Sequence, residues 1–367
     1  MKHRYVNNFE RYFHPDNEEN RNIYRKRVRL TFRIISTLIH PDLVISGSSF
    51  DSYVVELIVV AREMGVKWAT CEREGTHSIG TAVGCGQIWK QYRAAEVDYV
   101  FTANDLHQQA YEIAAETSRT LKKIQIVGEL RSDMWHPNFY KFNDLRYQEW
   151  NKFKKKILFL TFGEKNYIEP MVFPNIKSDW LPLLRSCEKE FLDFAKENPD
   201  ILLFYKMGHV QDFHREFIDE TVRLGLKNIV ALDRQFPCEE LIHYCDLIFG
   251  FQSTATIEAM FTDKPLFYLY WNIGADVNPD YDIMPLHKSG AVEVLDSPER
   301  MTSLLKLWNE GHYTVPPEQI AGRKTCREYY FVQPDGHVAE RFLEVVKEVV
   351  GAPEPLRQSI LSEVATK

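Results

Sequence analysis

The run from Asp246 to Pro265, DLIFGFQSTATIEAMFTDKP, sets two hydroxyls, Ser253 and Thr254, where an apolar strand ending at Gly250 gives way to a helix, with Glu258 one turn on. Hydroxyls and unpaired backbone N–H groups at a helix N-terminus attract anions, so this spacing points to phosphate binding. Glu258 is then placed to accept from ribose hydroxyls. The same residues also fit an ordinary N-cap, Ser253 or Thr254 closing the helix and Glu258 completing a loose capping pattern.

Three further places carry chemistry. Strand Ile201 to Tyr205 leads into Lys206-Met207-Gly208-His209, where Gly208 permits a tight turn that lets Lys206 or His209 reach a phosphate. A surface histidine is the plainer reading. Glu72-Arg73-Glu74-Gly75-Thr76-His77 follows a strand directly, so a carboxylate or imidazole there can take a proton from a hydroxyl. Against that, Glu74 can pair with Arg73, and His77 can cap the next helix. Asp233-Arg234-Gln235 lies at another strand end, and Ser46-Gly47-Ser48-Ser49 is either an approach for an acceptor or simply a turn.

The elements that must position these residues alternate. Strands are expected at Leu43 to Ser46, Val66 to Cys71, Val97 to Thr102 and Ile124 to Val127, with helix-length segments between them. Such spacing forces parallel pairing, because a parallel crossover needs a dozen or more residues. From Trp135 to Lys155 the pattern lapses, then restarts with strands at Ile157 to Phe162, Ile201 to Lys206, Ile229 to Leu232, Leu247 to Gly250 and Leu266 to Leu269. Helices at Pro298 to Asn309 and His337 to Val350 close the chain. The expected fold is α/β, two Rossmann-like domains with parallel sheets facing a central cleft, where ligands of open sheets bind. Its divisions are an N-terminal acceptor domain (1–134), a linker (135–155), a C-terminal nucleotide-donor domain (156–334), and a closing helix and tail (335–367).

Composition narrows the function. A chain of 367 residues with 44% hydrophobic and 26% charged residues builds a real core. No apolar run reaches the ~20 residues of a membrane span, and no secretory signal is visible, so a cytoplasmic protein is expected. The net charge of −7 argues against nucleic acid as a partner. Six cysteines without a CxxC pair read as free thiols. Within RNIYRKRVRLTFR, Arg21, Arg25, Lys26, Arg27, Arg29 and Arg33 meet no acid, which makes a solvated helix face or a peripheral contact with an anionic membrane or glycan.

The Asp246–Pro265 segment resembles the nucleotide-binding motif of GT-B glycosyltransferases, in particular CDP-glycerol glycerophosphotransferases and bacterial surface-carbohydrate transferases. Ser253, Thr254, Glu258, Ala259, Lys264 and Pro265 stand at its positions. Gly128, Arg131 and Asp133, the stretch Ile157 to Asn166, and Asp335, Gly336 and Arg341 resemble other segments of the family in the same order. The family's Lys-Pro-His-Pro is altered here to Lys206-Met207-Gly208-His209, and Glu74-Gly75 is similar to the acid before glycine of the surface-carbohydrate transferases. The resemblance implies that Ser253 and Thr254 hold the donor phosphate and Glu258 the ribose, with Lys206 and His209 nearby. Glu74 first and His77 second serve as base, and Asp233 meets the base or attacks the anomeric carbon. It further implies transfer of a sugar or polyol from a CMP- or CDP-linked donor, as substrate, to a glycan or lipid-linked glycan acceptor, without cofactor or metal. An enzyme like UDP-N-acetylglucosamine 2-epimerase and an inactive glycan-binding GT-B subunit are the alternatives.

Overall fold

The computed structural model describes residues 15–49, 52–72, 79–91, 96–136, 144–163, 179–207, 212–233, 235–271 and 285–351. The chain divides into two compact units: unit 1 takes Met1–Gly75, Gly86–His136 and Phe331–Lys367, and unit 2 takes Thr76–Cys85 and Pro137–Tyr330.

Unit 1 begins with helix α1 (Glu18–Ile39), then alternates β1 (Leu43–Ser46), α2 (Ser52–Glu63), β2 (Lys67–Cys71), α3 (Ile79–Gln91, of which residues 79–85 fall in unit 2), β3 (Tyr99–Thr102), α4 (Asp105–Ala115) and β4 (Lys123–Ile126). The four strands lie side by side in chain order, all parallel. Each crossover therefore steps the same way, and right-handed connections put α2, α3 and α4 on one face. The far end of the chain closes the other. Helix α11 (Val338–Val350) packs Phe342, Val345, Val346 and Val349 on Leu43, Ala69, Tyr99, Phe101 and Val127. The expected closing segment, 335–367, thus begins with a helix that belongs to unit 1.

Two sequence motifs meet at that return. Both carboxylate oxygens of Asp133 accept from the first turn of α11, from Val338 N at 2.9 Å and Ala339 N at 2.7 Å. Gly128, at φ +95°, lies where a Cβ would come within 3.0 Å of the Val332 carbonyl and a Val338 methyl. Arg341 grips Asp335 through two bonds of 2.8 and 2.9 Å and the Gln333 carbonyl at 2.7 Å.

The basic run does find acids. Arg25 bonds Glu56 at 2.5 and 3.1 Å, and Arg29 bonds Glu63 at 2.9 and 2.6 Å, both acids being on α2. Val28 and Phe32 are buried between these pairs.

Unit 2 contains β5 (Lys155–Leu160), α5 (Leu181–Glu197), β6 (Ile201–Lys206), α6 (Asp212–Arg223), β7 (Ile229–Leu232), α7 (Cys238–Tyr244), β8 (Leu247–Gly250), α8 (Thr254–Glu258), β9 (Leu266–Leu269), β10 (Glu293–Leu295), α9 (Pro298–Asn309) and α10 (Pro317–Phe331). Its parallel sheet runs β10-β9-β8-β5-β6-β7. Counted from β5, this is the doubly wound order 3-2-1-4-5-6, which unit 1 does not share. The expected linker also differs. Tyr147 and Trp150, in a 3-10 turn at Asp144–Trp150, are buried against Phe204, Phe236 and Tyr244 of this unit.

Helix α10 and strand β10 have no counterpart in the sequence reading. The buried side of α10 carries Gln319 and Arg323 before Cys326 and Tyr330, and Gly322 lies where a Cβ would meet the Gly290 carbonyl at 2.6 Å, so the first half shows no apolar period. The Arg323 guanidinium donates to the carbonyls of Ala291, Thr262 and Lys264 at 3.1, 2.8 and 2.8 Å. Burial lowers its pKa to about 10. Beneath α5 and α6, the Tyr205 hydroxyl donates to Glu188 at 2.6 Å and meets His214 Nδ1 at 2.7 Å. Burial, then the Arg185 charge, lowers the His214 pKa to about 4.

Two outcomes follow for stability. Asp133→Ala strands two backbone donors of α11 and is expected to cost about 1–3 kcal/mol, read as a shift of the urea midpoint at unchanged slope. His214 stays neutral in the fold down to about pH 4, whereas unfolded histidine takes its proton near 6.5. The unfolded chain therefore binds more protons in that window, and stability falls as pH drops through it. His214→Asn should make the stability-against-pH slope shallower by up to one proton, ~1.4 kcal/mol per pH unit; an unchanged slope would exclude a buried neutral His214.

Candidate functional site

The loop after β8 is built from its glycine outward. All four residues of β8 are buried, and a Cβ on Gly250 would lie 2.3 Å from Thr256 Oγ1. That hydroxyl donates to the Phe251 carbonyl at 2.8 Å, while Thr256 N donates to the Ser253 carbonyl at 2.9 Å. Ser253 is extended (φ −149°, ψ 141°), and its Oγ accepts from Ala255 N at 3.3 Å, which makes it the N-cap of α8. Thr254 is half-buried and makes no side-chain hydrogen bond among the described residues. Glu258 is buried at the end of α8, on the same helix face as Thr254 four residues earlier. The helix is only five residues long and tightens into a 3-10 turn at Ala259–Phe261.

This loop lies at the one reversal of strand order in the unit 2 sheet. From β5 the chain winds outward through β6 and β7, and it returns to the other side of β5 as β8. In an open α/β sheet the carboxyl ends of the strands at such a switch point frame the ligand crevice. After β5, Thr161 donates through N and Oγ1 to the Lys206 carbonyl at 3.1 and 2.8 Å. Phe162, Trp180 and Phe251, all buried, pack edge-to-face or tilted with centroids 4.8–6.3 Å apart. They form a buried aromatic cluster beneath the strand ends.

Lys206 ends β6 and is buried, its ammonium donating to the Asp233 carbonyl at 2.6 Å. The Asp233 carboxylate accepts from Gln235 N at 2.9 Å. The structure therefore joins Lys206 to Asp233 through the backbone and ties the ends of β6 and β7 together. Ser253, Thr254 and Glu258 share one loop and helix of the same sheet. Glu74, His77 and His209 lie outside the described residues.

Lys264, singled out with the phosphate motif, has a structural partner instead. Its ammonium donates to the Ile242 carbonyl at 3.0 Å and to the His243 carbonyl, at the end of α7. Burial lowers its pKa. His243, beside it, is lowered to about 4 by burial first and by Lys264 second.

In unit 1 the strand ends hold a polar cluster that sequence reasoning passed over. Glu72 is buried just past β2 and accepts from Ser49 N at 3.0 Å, from Thr70 Oγ1 at 3.1 Å and from the Tyr111 hydroxyl. Ser49 Oγ meets the same tyrosine at 2.7 Å. Burial and the Glu72 charge hold the Tyr111 pKa well above the usual tyrosine range. Alternation along β2 was the available signal, since Thr70 and Glu72 fall on one face. The Ser46–Ser49 loop is a hydrogen-bonded turn, Ser46 Oγ accepting from Trp68 Nε1 at 2.9 Å and donating to the Ser48 carbonyl at 2.7 Å.

No protein-family profile matches the chain, and no curated protein matches it. Solved structures do. A Listeria monocytogenes protein assigned as a UDP-N-acetylglucosamine 2-epimerase is similar with a TM-score of 0.56 at 14% identity, over 90% of this chain and 80% of that one. The UDP-GlcNAc 2-epimerase of Neisseria meningitidis bound to UDP-GlcNAc gives 0.53 at 14% identity, over 88% and 81%. S. aureus MnaA with UDP gives 0.52 at 16% identity, over 91% and 82%. At such identities the likeness is one of fold. With its two parallel-sheet α/β units, the chain has the GT-B fold.

Proposed function

We propose that the chain is a glycosyltransferase that binds a pyrimidine nucleotide-sugar, or an equivalent activated polyol, at the carboxyl ends of β5 and β8. The observation that carries this reading is the position of the Ser253–Thr254 loop at the strand-order reversal of unit 2. Thr254 and the backbone N–H groups of the loop contact the donor phosphates, and Glu258 accepts from the ribose. Hydroxyl and N–H donors aimed at the leaving phosphate stabilise the charge that develops on it, so no metal enters the proposal. Activity should survive EDTA.

In this reading Lys206 acts by fixing the Asp233 loop, and His209 meets the phosphate from the neighbouring strand end. Glu74, with His77 second, removes the proton of the acceptor hydroxyl of a growing glycan. Asp233 is the alternative nucleophile of a retaining mechanism. The sequence resemblance favours a cytidine donor. The solved structures above, with UDP and UDP-GlcNAc, support a second reading equally well: epimerisation of a free UDP-sugar on the same donor site.

Thermal shift with CMP, CDP, UDP, UMP, GDP and ADP separates the two. A ligand at 100 times its Kd stabilises by about 2.7 kcal/mol. The largest shift is expected with a cytidine nucleotide; a larger one with UDP, together with interconversion of UDP-sugars in the absence of acceptor, would replace the transferase with the epimerase. Donor hydrolysis without acceptor separates an active transferase from a mere binding subunit.

Substitutions then locate the site. Thr254→Ala removes a hydroxyl with no side-chain hydrogen bond among the described residues, so nucleotide binding should weaken about tenfold or more, for a lost contact of about 1.5–3 kcal/mol, with little change in Tm. Ser253→Ala should lose affinity and also about 1 kcal/mol of stability, since Ser253 caps α8. Glu258→Gln should weaken ribonucleotides and spare deoxyribonucleotides, and Glu74→Gln should keep affinity and lose transfer. Parental affinity in the Ser253, Thr254 and Glu258 variants, measured by calorimetry, would move the donor site elsewhere.

A further inference from the structure

Helix α1 is held to unit 1 along one side. Arg25 and Arg29 pair with Glu56 and Glu63 of α2, and Val28 and Phe32 are buried between them. These four contacts fix the rotation of the helix about its axis. At 3.6 residues per turn, the positions opposite them are Ile23, Leu30, Ile34 and Leu38. All four are exposed, Leu30 to 63%, Ile34 to 53% and Leu38 to 77%. An apolar stripe about four turns long, broken by Arg27, therefore faces away from α2 and the rest of unit 1.

Cations frame that stripe. Lys26 and Arg33 lie along one flank and Arg27 lies within it, all three exposed and without an ion-pair partner among the described residues. The helix's own acids, Glu18 and Glu19, are confined to its first turn. No helix among the described residues is long and apolar enough to cross a membrane. An outward apolar face with lysine and arginine beside it matches a surface of anionic lipid, where the side chains enter the acyl boundary and the cations meet headgroups.

We infer that unit 1 binds an anionic membrane surface through the outer face of α1. The cations that do this are Lys26, Arg27 and Arg33. Arg25 and Arg29 instead hold the helix to its neighbour.

Cosedimentation of the full chain with DOPC vesicles and with 1:1 DOPC:DOPG vesicles tests this. Binding is expected to the DOPG-containing vesicles, weakly to DOPC alone, and to fall at high salt. Joint replacement of Lys26, Arg27 and Arg33 by Gln should weaken it on the order of tenfold to a hundredfold. Joint replacement of Leu30, Ile34 and Leu38 by Ser should weaken binding at least tenfold. Arg25→Gln should lower Tm while leaving vesicle binding in place. Circular dichroism checks folding, and if the serine variant does not fold, the charge variant decides. The inference is overturned if the parent chain binds neither vesicle or both equally. It is also overturned if the stripe instead joins two copies, seen as a dimer in analytical ultracentrifugation that the serine variant dissociates while no vesicle binding occurs. Nucleotide thermal shifts should be the same in all these variants, so this result and the donor-site assignment stand or fall separately.

Discussion

The loop that opens α8 can take its shape only because Gly250 has no side chain. A Cβ there would stand 2.3 Å from Thr256 Oγ1, and that hydroxyl is what bonds the Phe251 carbonyl and folds the chain back on the strand end. With the turn set, Ser253 falls into the extended conformation of an N-cap, and Thr254 becomes the first helical residue. The doubly wound order does the rest by putting β8 beside β5, at the strand-order reversal where open α/β sheets bind ligands. Because α8 has five residues, its dipole is slight, and attraction for an anion has to come from individual hydroxyl and N–H donors.

Unit 1 depends on a different constraint. A sheet whose strands step one way has helices on one face only, and its other face must be covered from elsewhere in the chain. Helix α11 covers it, and Asp133 fixes where that helix starts by satisfying two N–H groups that would otherwise have no intrahelical partner. The Gly128–Asp133 and Asp335–Arg341 motifs, some two hundred residues apart, are thus two halves of one joint. Their presence in the sequence reports on the fold of unit 1, and they take no part in the proposed chemistry.

What could be read from the sequence follows from burial. Strands of a parallel sheet covered on both sides appear as short apolar runs, and β1, β6, β7, β8 and β9 stand at the expected residues. Helix α10 was hidden because its buried side begins with the polar Gln319 and Arg323, and only its second half, with Cys326 and Tyr330, is apolar. Arg25 and Arg29 looked unpaired because their acids lie 31 and 34 residues on, beyond any local reading. Glu74 was preferred to Glu72 because Glu74-Gly75 is similar to the family's acid before glycine, and only the fold brings Ser49, Thr70 and Tyr111 onto Glu72. At the donor loop the residue types and the turn were legible. Their internal partners were not.

Those partners sort the candidate residues. A buried cation or hydroxyl bonded within the protein gives up that bond before it can serve a ligand, so its net contribution to binding is small. Lys206 is committed to the Asp233 carbonyl and Lys264 to the end of α7, while Ser253 divides its oxygen between the cap and any phosphate. Thr254 carries no such commitment among the described residues. It also lies above Glu258 on one helix face, so the proposed ligand would be read along the helix, phosphate at the first turn and ribose at the next. In the proposed reading, selectivity for the activated group beyond the phosphates comes from other loops at the same strand ends, because α8 ends at Glu258 and the chain turns into the core at Ala259 and Met260.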